Sequence, residues 1–361
     1  MFAMFIGVAT ASNMISGGNG QASSFMFLVV ISLCFCFEIK ISRDNYISYL
    51  KIFQKFGVFA ALLVYIDWIF QFAHLPMPNI ELLIPKNWLF YNYVYIQPLN
   101  WGNKFMKPNG FFFLETSFVS QFIAFSLIFE FCLFRRLGYI VLLGTALVAS
   151  FGGTGMLLLA LSSPVILFYF RLKLVPLALI ALPIGGFTAV QLGVLDNVVE
   201  RSSEFSKEGS SGNVRFTNQL QSVIDVVNSG PLYALAGRGS GLMPQRLNLL
   251  YTPLAKVPYE YGFITYIFWF LFIIYCSFGR GVPFIVSWAA IVQYMLLNGS
   301  LLVPICNAYI VVLCSLFRVT GSPTWSSFSD LRLHSSAFFK SGKGQLLLPG
   351  IEPAAGGRVL P

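Results

Sequence analysis

The sequence predicts an all-α fold: a polytopic inner-membrane protein with about nine to ten transmembrane helices and a large external loop. Three observations predict it. The 361 residues are 57% hydrophobic and only 10% charged, whereas soluble domains carry about 25% charged residues. Apolar runs recur along the chain with about the length of 20 residues that a helix needs to cross a bilayer. Short basic connections also alternate with short uncharged ones.

The apolar runs define the predicted helices in order. Nine segments are predicted to span the bilayer, at 22–38, 56–73, 111–134, 137–151, 155–170, 174–192, 259–278, 282–298 and 301–317. Residues 1–14 add a tenth. The segments at 137–151 and 155–170 are short for a hydrocarbon core of about 30 Å, so we expect them to be tilted or joined differently through "SFGGTG".

The distribution of Lys and Arg predicts the orientation, because cytoplasmic connections carry an excess of basic residues. Nine basic residues lie in the short connections of one side: Lys40, Arg43, Lys51, Lys55, Arg135, Arg136, Arg171, Lys173 and Arg280. The short connections of the other side, "SFGGTG" and "NGS", have none. The first side is therefore predicted to be cytoplasmic, and the long segments 74–110 and 193–258 are predicted to be external.

This topology gives a simple domain organisation. Residues 1–318 are predicted to form a single membrane domain that includes both external loops. Residues 319–361 are predicted to form a disordered cytoplasmic tail that is rich in Gly and Pro near its end.

Composition also excludes several functional classes. The net charge of +9 is not arranged as a basic stripe with aromatics, so nucleic-acid binding is not expected. The six cysteines lie in apolar segments without metal spacing, and there are only two histidines, so no metal or cofactor is expected. Apart from Glu38 and Glu260 at the limits of their segments, the apolar stretches contain three carboxylates, Asp67, Glu115 and Glu130. A transporter would more often carry ionisable groups at the bilayer midplane.

A glycine-rich stretch, "LAGRGSGL" at 235–242, places Gly237, Gly239 and Gly241 around Arg238. A nucleotide-binding loop would need GxxxxGK[ST] or GxGxxG between a strand and a helix. This stretch lacks both patterns, follows the helix-like "PLYALA" and is predicted to be external. The alternatives that remain are a flexible turn and an anion site in which backbone amides beside Arg238 form a nest.

Other polar residues accompany this loop on the external side. "GNVRFTNQLQSVIDVV" predicts an amphipathic helix after Arg215, with apolar residues spaced at i, i+4, i+7 and i+11 from Phe216 to Val227. Glu260 is predicted to lie where the next span begins. In "KPNGFFFLETSF", Lys107 and Glu115 flank the start of another span.

The order of these motifs resembles the O-antigen polymerase and ligase superfamily of membrane glycosyltransferases. The matching segments are "KPNGFFFLETS", "RFTNQ", "GRGSG" and "EYG", over roughly residues 100–300. Thr116 stands where the family has Pro, and Gln219 where Trp is common. Arg201 and Gly212 also fit the spacing of arginine-containing loops of the polymerase branch. The histidine motif of the ligase branch has Tyr251 and Thr252 at its place instead, which favours a polymerase.

The resemblance implies transfer of a glycan from an undecaprenyl-pyrophosphate carrier to a sugar hydroxyl on another carrier. Arginines suit the pyrophosphate because they stay charged and bind phosphate bidentately. A carboxylate would serve as base for the acceptor hydroxyl. Glu260, Arg215 and Arg238 are the predicted catalytic residues. The predicted substrate-binding residues are Lys107, Glu115, Arg201, Arg246, Gly237, Gly239, Gly241, Tyr251 and Asp67.

Structural interpretations of these residues stay open at the level of sequence. Glu260 at a helix N-terminus would also stabilise the helix dipole, and loop arginines would also pair with nearby carboxylates. Two other functions remain as alternatives: a ligase with a non-histidine base, and a flippase or permease for a lipid-linked sugar. The expected partners are the lipid bilayer, the carrier-linked oligosaccharide and a chain-length regulator protein.

Overall fold

A computed structural model of the chain describes residues 1–16, 20–77, 84–85, 96–99, 104–113, 115–169, 213, 217–243, 252–297, 301–302 and 304–320. Of the described residues 75% are helical and 4% lie in strands or bridges. The prediction of a mostly helical protein is therefore confirmed. The predicted span 174–192 and the tail from residue 321 onward lie outside the described residues.

The described helices follow the apolar runs of the sequence. They are α1 Phe2–Ile15, α2 Ala22–Cys34, α3 Arg43–Phe72, α4 Thr116–Phe129, α5 Leu137–Ala149, α6 Gly153–Tyr169, α7 Asn218–Asn228, α8 Pro231–Ala236, α9 Pro253–Phe278, α10 Phe284–Val292 and α11 Pro304–Ile310. Three π-helical segments, Glu130–Phe134, Gln293–Leu297 and Val311–Ser315, extend α4, α10 and α11. Each predicted apolar segment within the described residues therefore contains a helix.

Three of these helices are long and apolar enough to cross a membrane: Arg43–Phe72, Thr116–Phe134 and Pro253–Phe278. Six others are apolar but shorter, such as Leu137–Ala149 and Gly153–Phe168. The short segments on either side of "SFGGTG" are thus short in the structure as well.

The centre of the helical core is α4, whose buried side chains include Val119, Ile123 and Phe125. It packs most closely against α6, where glycine permits the approach. A Cβ at Gly155 would lie 2.3 Å from the carbonyl oxygen of Ser120, so any larger residue there would clash with the α4 backbone. Small residues at helix contacts are typical of packing between membrane helices.

Two short strands depart from the predicted all-α fold. Strands β1 Ile39–Ser42 and β2 Phe317–Thr320 pair in parallel, with Lys40 opposite Arg318. The predicted tail from residue 319 therefore begins inside a strand. Four-residue strands that pair across most of the chain carry too little local pattern to be predicted from sequence.

Arg280 ties the ends of several helices to these strands, and we call this region the strand end. Arg280 is 8% exposed as a residue, and its guanidinium donates to the carbonyl oxygens of Phe37 and Phe35, both at 2.7 Å, and of Ser315. The backbone carbonyl oxygen of Arg280 accepts from the amide of Val319 at 2.8 Å. A guanidinium has five fixed donors, which is why one arginine can hold three chain segments together here.

The opposite region, which we call the loop end, contains the polar segments 104–113 and 237–243. Helix α3 starts directly after β1, and α9 ends just before Arg280, so the far end of α3 and the start of α9 both lie away from the strand end. Segment 104–113 contacts the end of α3, and segment 237–243 contacts the start of α9.

Candidate functional site

The site is organised around the glycine loop, residues 237–241, which follows the predicted helix α8. Gly237, Gly239 and Gly241 have φ angles of 72°, 114° and 73°, a region that side chains other than glycine rarely adopt. Space is limiting as well: a Cβ at Gly237 would lie 2.5 Å from the carbonyl oxygen of Glu260. Gly237 therefore allows the loop backbone to lie directly on α9, and Gly241 allows it to approach Gln21 and Ser24.

Helix α9 provides partners for this loop because it is broken at Gly262, where φ is 76° and ψ is 171°. A break removes the intrahelical donors of carbonyls in the preceding turn. Two of these carbonyls accept from the loop instead. The amide of Arg238 donates to Tyr259 O at 3.0 Å, and the amide of Gly239 donates to Glu260 O at 3.0 Å.

The end of α1 and the start of α2 hold the loop from another side. The Ser12 hydroxyl contacts the carbonyl oxygens of Ala236 and Tyr261, the latter at 2.8 Å. Asn13 Oδ1 accepts from the amide and the hydroxyl of Ser240, at 3.3 and 3.1 Å. The loop is therefore a fixed part of the helical core rather than a flexible turn.

These contacts correct the expectation of an anion nest beside Arg238. The amides of Gly237, Arg238, Gly239 and Ser240 all donate to protein oxygens. Amides that are already paired inside the protein cannot also cradle a phosphate. The glycines serve close packing, and the chemistry of the loop rests on the Arg238 side chain.

The Arg238 guanidinium is held by a hydroxyl and two aromatic rings. One terminal nitrogen donates to the Ser229 hydroxyl, and the group lies 5.5 Å from the ring centroid of Tyr233 and 5.8 Å from that of Tyr259. Among the described residues no carboxylate forms an ion pair with it, and its buried Nε lacks a hydrogen-bond partner. Two aromatic faces therefore stabilise the cation.

Glu260 forms a buried ion pair with Lys256 one helical turn earlier. The Lys256 ammonium donates to Glu260 Oε1 at 2.7 Å, and their side chains are 4% and 0% exposed. The amide of Met243 donates to the same oxygen at 3.2 Å. Glu260 Oε2 is buried and has no hydrogen-bond partner among the described residues. One carboxylate oxygen therefore has a structural role, and the other is a buried acceptor without a partner among the described residues.

Lys256 is a site residue that the sequence analysis did not assign. The spacing of four residues on one helix, with both side chains on the same face, was the available signal. It was missed because the span was predicted to begin at 259, which left Lys256 in the loop. In the structure α9 begins at Pro253, and the two residues share its first turns.

Helix α7 is tied to the start of α9 by Gln219. Its Oε1 accepts from the amide of Thr252 at 3.1 Å and from its hydroxyl at 2.5 Å. Val226 of α7 also packs against Met243, Ala255 and Tyr259. The predicted helix is confirmed, and it belongs to the same site as Arg238 and Glu260.

A second polar group at the loop end involves Asp67, Lys107 and Glu115. Asp67 is 1% exposed, and its Oδ2 accepts from the amide of Gly110 at 2.9 Å, so its carboxylate supports the 109–110 turn. Glu115 accepts from the Ser117 hydroxyl at 2.5 Å at the start of α4. The amide of Lys107 donates to Gln97 O at 2.8 Å.

The structure thus places the backbone of the Arg238 loop on the carbonyl oxygens of Tyr259 and Glu260. It places Asp67 against the 109–110 turn and Glu115 at the start of α4. The remaining predicted site residues, Arg201, Arg215, Arg246 and Tyr251, lie outside the described residues.

Among the described residues here, Lys256 and Glu260 neutralise each other, and Arg238 adds a positive charge. An anionic group would pair with Arg238, and a hydroxyl would donate to Glu260 Oε2. Comparison with protein-family models, with curated proteins and with solved structures finds no match to this chain.

Proposed function

We propose that the protein is a membrane glycan polymerase of the bacterial inner membrane. It transfers oligosaccharide repeat units from undecaprenyl-pyrophosphate carriers to a carrier-linked acceptor on the periplasmic side. The observation that carries the proposal is the Arg238 loop, whose backbone amides donate to the carbonyl oxygens of Tyr259 and Glu260 on a helix that bears the buried Lys256–Glu260 pair. This helix is apolar, long enough to span a membrane, and broken at Gly262.

A polytopic arrangement with nine to ten spans is part of this proposal. Eight of the predicted spans separate β1 from β2. An even number of crossings returns the chain to the same side, which the pairing of the two strands requires. The basic residues Lys40, Arg280 and Arg318 meet at this strand end, which supports a cytoplasmic position for it. The loop end with Arg238 would then be periplasmic.

The reaction sets clear chemical demands. The bond between the donor sugar C1 and the phosphate oxygen breaks, and a bond between C1 and the acceptor hydroxyl oxygen forms. The electron pair of the broken bond leaves with the lipid pyrophosphate, and the acceptor hydroxyl releases a proton. The site must therefore stabilise growing negative charge at one point and accept a proton at another.

Arg238 meets the first demand and Glu260 the second. The Arg238 charge is not paired with a described carboxylate, so it is available to the pyrophosphate. Glu260 Oε2 would accept the hydroxyl proton, while Lys256 holds Oε1 and fixes the carboxylate in place. In this proposal Lys256 is a positioning residue. Arg215, Arg201, Arg246 and Tyr251 would add contacts to the donor, and Lys107 and Glu115 to the acceptor.

The test is surface polysaccharide synthesis in cells that lack the protein, complemented with variants. We expect Arg238→Ala and Glu260→Gln to reduce the polymer ladder by about 10²–10³-fold, the cost of losing one transition-state charge partner, at normal protein levels. Arg238→Lys should restore part of the ladder, because it returns the charge without the bidentate geometry. Arg318→Gln at the strand end is the matched control and should leave the ladder intact.

The products that accumulate separate this proposal from its alternatives. Single repeat units at the cell surface, with no ladder, indicate a polymerase. Long carrier-linked polymers that never reach their final acceptor would instead indicate a ligase. Carrier-linked units trapped on the cytoplasmic side would indicate a flippase. Unchanged ladders in both Arg238→Ala and Glu260→Gln would remove the proposed site.

A further inference from the structure

Helix α7 presents three different faces. Toward the protein it buries Gln219, Ser222 and Val226. A second, exposed face is polar and contains Gln221, whose side chain donates to Asp225 Oδ1 at 2.9 Å. A third face is exposed and apolar, and it consists of Leu220, Ile224 and Val227, which are 63%, 41% and 48% exposed. The sequence predicted the apolar spacing, and the structure places most of this apolar surface outward.

The apolar exposure continues into the neighbouring helices. Leu232 and Leu235 of α8 are 59% and 51% exposed, and Leu254 in the first turn of α9 is 37% exposed. Both α7 and α8 pack against α9, which is long and apolar enough to span a membrane. Farther along, α9 itself exposes large apolar side chains such as Ile264 and Ile267.

We propose that α7 and α8 form an interfacial element that lies in the outer leaflet, with Leu220, Ile224, Val227, Leu232 and Leu235 among the lipid acyl chains. Helix α7 is attached to α9 through its buried face, and its exposed surface has an apolar face and a polar face. These are the features of a helix that lies in the interface plane of a membrane. The inference rests on the membrane topology given under the proposed function and adds how its site meets the lipid.

The charge pattern favours lipid over a protein partner. Asp225 is the only charged residue in α7 and α8, and it lies on the polar face, so the apolar face offers no charge for specific recognition. Tyr233 of α8 is 43% exposed and lies beside the Arg238 guanidinium. Tyrosine and arginine together are typical of the headgroup level of a bilayer. With α7 and α8 in this position, Arg238 would lie at the depth of the lipid phosphates, where a carrier-linked pyrophosphate resides.

The experiment measures contact with acyl chains directly. Single cysteines replace Ile224, Gln221 or Ile267 in full-length protein whose Cys34 and Cys36 are changed to alanine, since these two are the described exposed cysteines. Each is labelled with an environment-sensitive nitrobenzoxadiazole fluorophore and reconstituted into nanodiscs of phosphatidylcholine with or without brominated acyl chains. We expect bromine to quench position 224 to an extent similar to position 267, and position 221 much less.

The two control positions keep the outcomes distinct. Quenching at 267 without quenching at 224 overturns the interfacial element and leaves the membrane topology intact. Absence of quenching at all three positions overturns both the element and the topology on which the proposed function rests. If the variant at 224 is not monodisperse, Leu220→Cys on the same face replaces it, with the same expectation. A second copy of the chain on this face would give protection from bromine and a dimer on native gels, which also overturns the proposal.

Discussion

Glycine at position 262 allows α9 to break and the loop of Arg238 to fill the break. A Cβ there would lie 2.1 Å from the carbonyl oxygen of Leu235, and the positive φ adds strain of its own. Both the limited space and the positive φ angle at position 262 therefore require glycine. The same residue sets the position of Glu260 two residues earlier.

We therefore expect Gly262→Ala to lower the free energy of unfolding by at least about 1–3 kcal/mol, the usual cost of such backbone strain. Gly144→Ala is the matched control. It lies inside α5 with no atom within 4 Å of an added Cβ, so it should be neutral or stabilising by up to about 1 kcal/mol. Thermal unfolding of the purified protein in detergent measures both, and equal midpoints would contradict the packing described for Gly262.

The Lys256–Glu260 pair gives a second prediction at the scale of single residues. Lys256→Met leaves a buried carboxylate without its cation, which typically costs about 3–5 kcal/mol. The double variant Lys256→Met with Glu260→Gln removes both charges, so it should be more stable than Lys256→Met alone. Unfolding in detergent of Lys256→Met, Glu260→Gln and the double variant gives a double-mutant cycle. Strictly additive effects would show that the two side chains do not interact.

Among the larger elements, the strand end depends on Arg280 far more than on the exposed charges around it. Its guanidinium satisfies three carbonyl oxygens that belong to the end of α2, the segment before β1 and the end of α11. The pair Arg318–Glu38 lies close by, but these side chains are 56% and 35% exposed. Exposed pairs of this kind contribute about 0–1 kcal/mol.

We expect Arg280→Met to release β1 and β2, because each lost hydrogen bond to a charged donor costs about 1.5–3 kcal/mol. Hydrogen exchange at residues 39–42 and 317–320 should become markedly faster. Arg318→Gln serves as the control and should leave exchange at 39–42 nearly unchanged. Equal exchange in both variants would mean that the strand pairing does not depend on Arg280.

Local sequence patterns predict the helices of this protein better than they predict which helix face is buried or which strands pair. Apolar runs predicted the described helices because a segment that buries or exposes apolar side chains all round carries a strong local signal. The apolar spacing of α7 predicted a helix correctly, but spacing alone does not decide which face meets the protein. Burial of Gln219 and exposure of Leu220 follow from the partner, Thr252, which is distant in sequence. The same distance hid the pairing of β1 with β2.

The whole molecule is predicted to have its strand end in the cytoplasm and its loop end outside. A pair of cysteine variants tests this in spheroplasts: Lys40→Cys in β1 and Asn228→Cys at the end of α7, both exposed positions. With Cys34 and Cys36 replaced by alanine, a membrane-impermeant maleimide should label position 228 only. Labelling of position 40 should require permeabilised cells. The reverse pattern would contradict the orientation inferred from the basic residues.

The parallel pairing of β1 with β2 has a consequence for biosynthesis. Residue 39 leaves the ribosome long before its partner, residue 317. At synthesis rates of about 5–20 residues per second, the interval is roughly 15–55 s. During this time the first strand lacks the partner strand, and every intervening helix is synthesised before the pairing can close. The strand pair can therefore form only after residue 317 has been synthesised, and a nascent chain stopped before that residue leaves the edge of β1 without its partner.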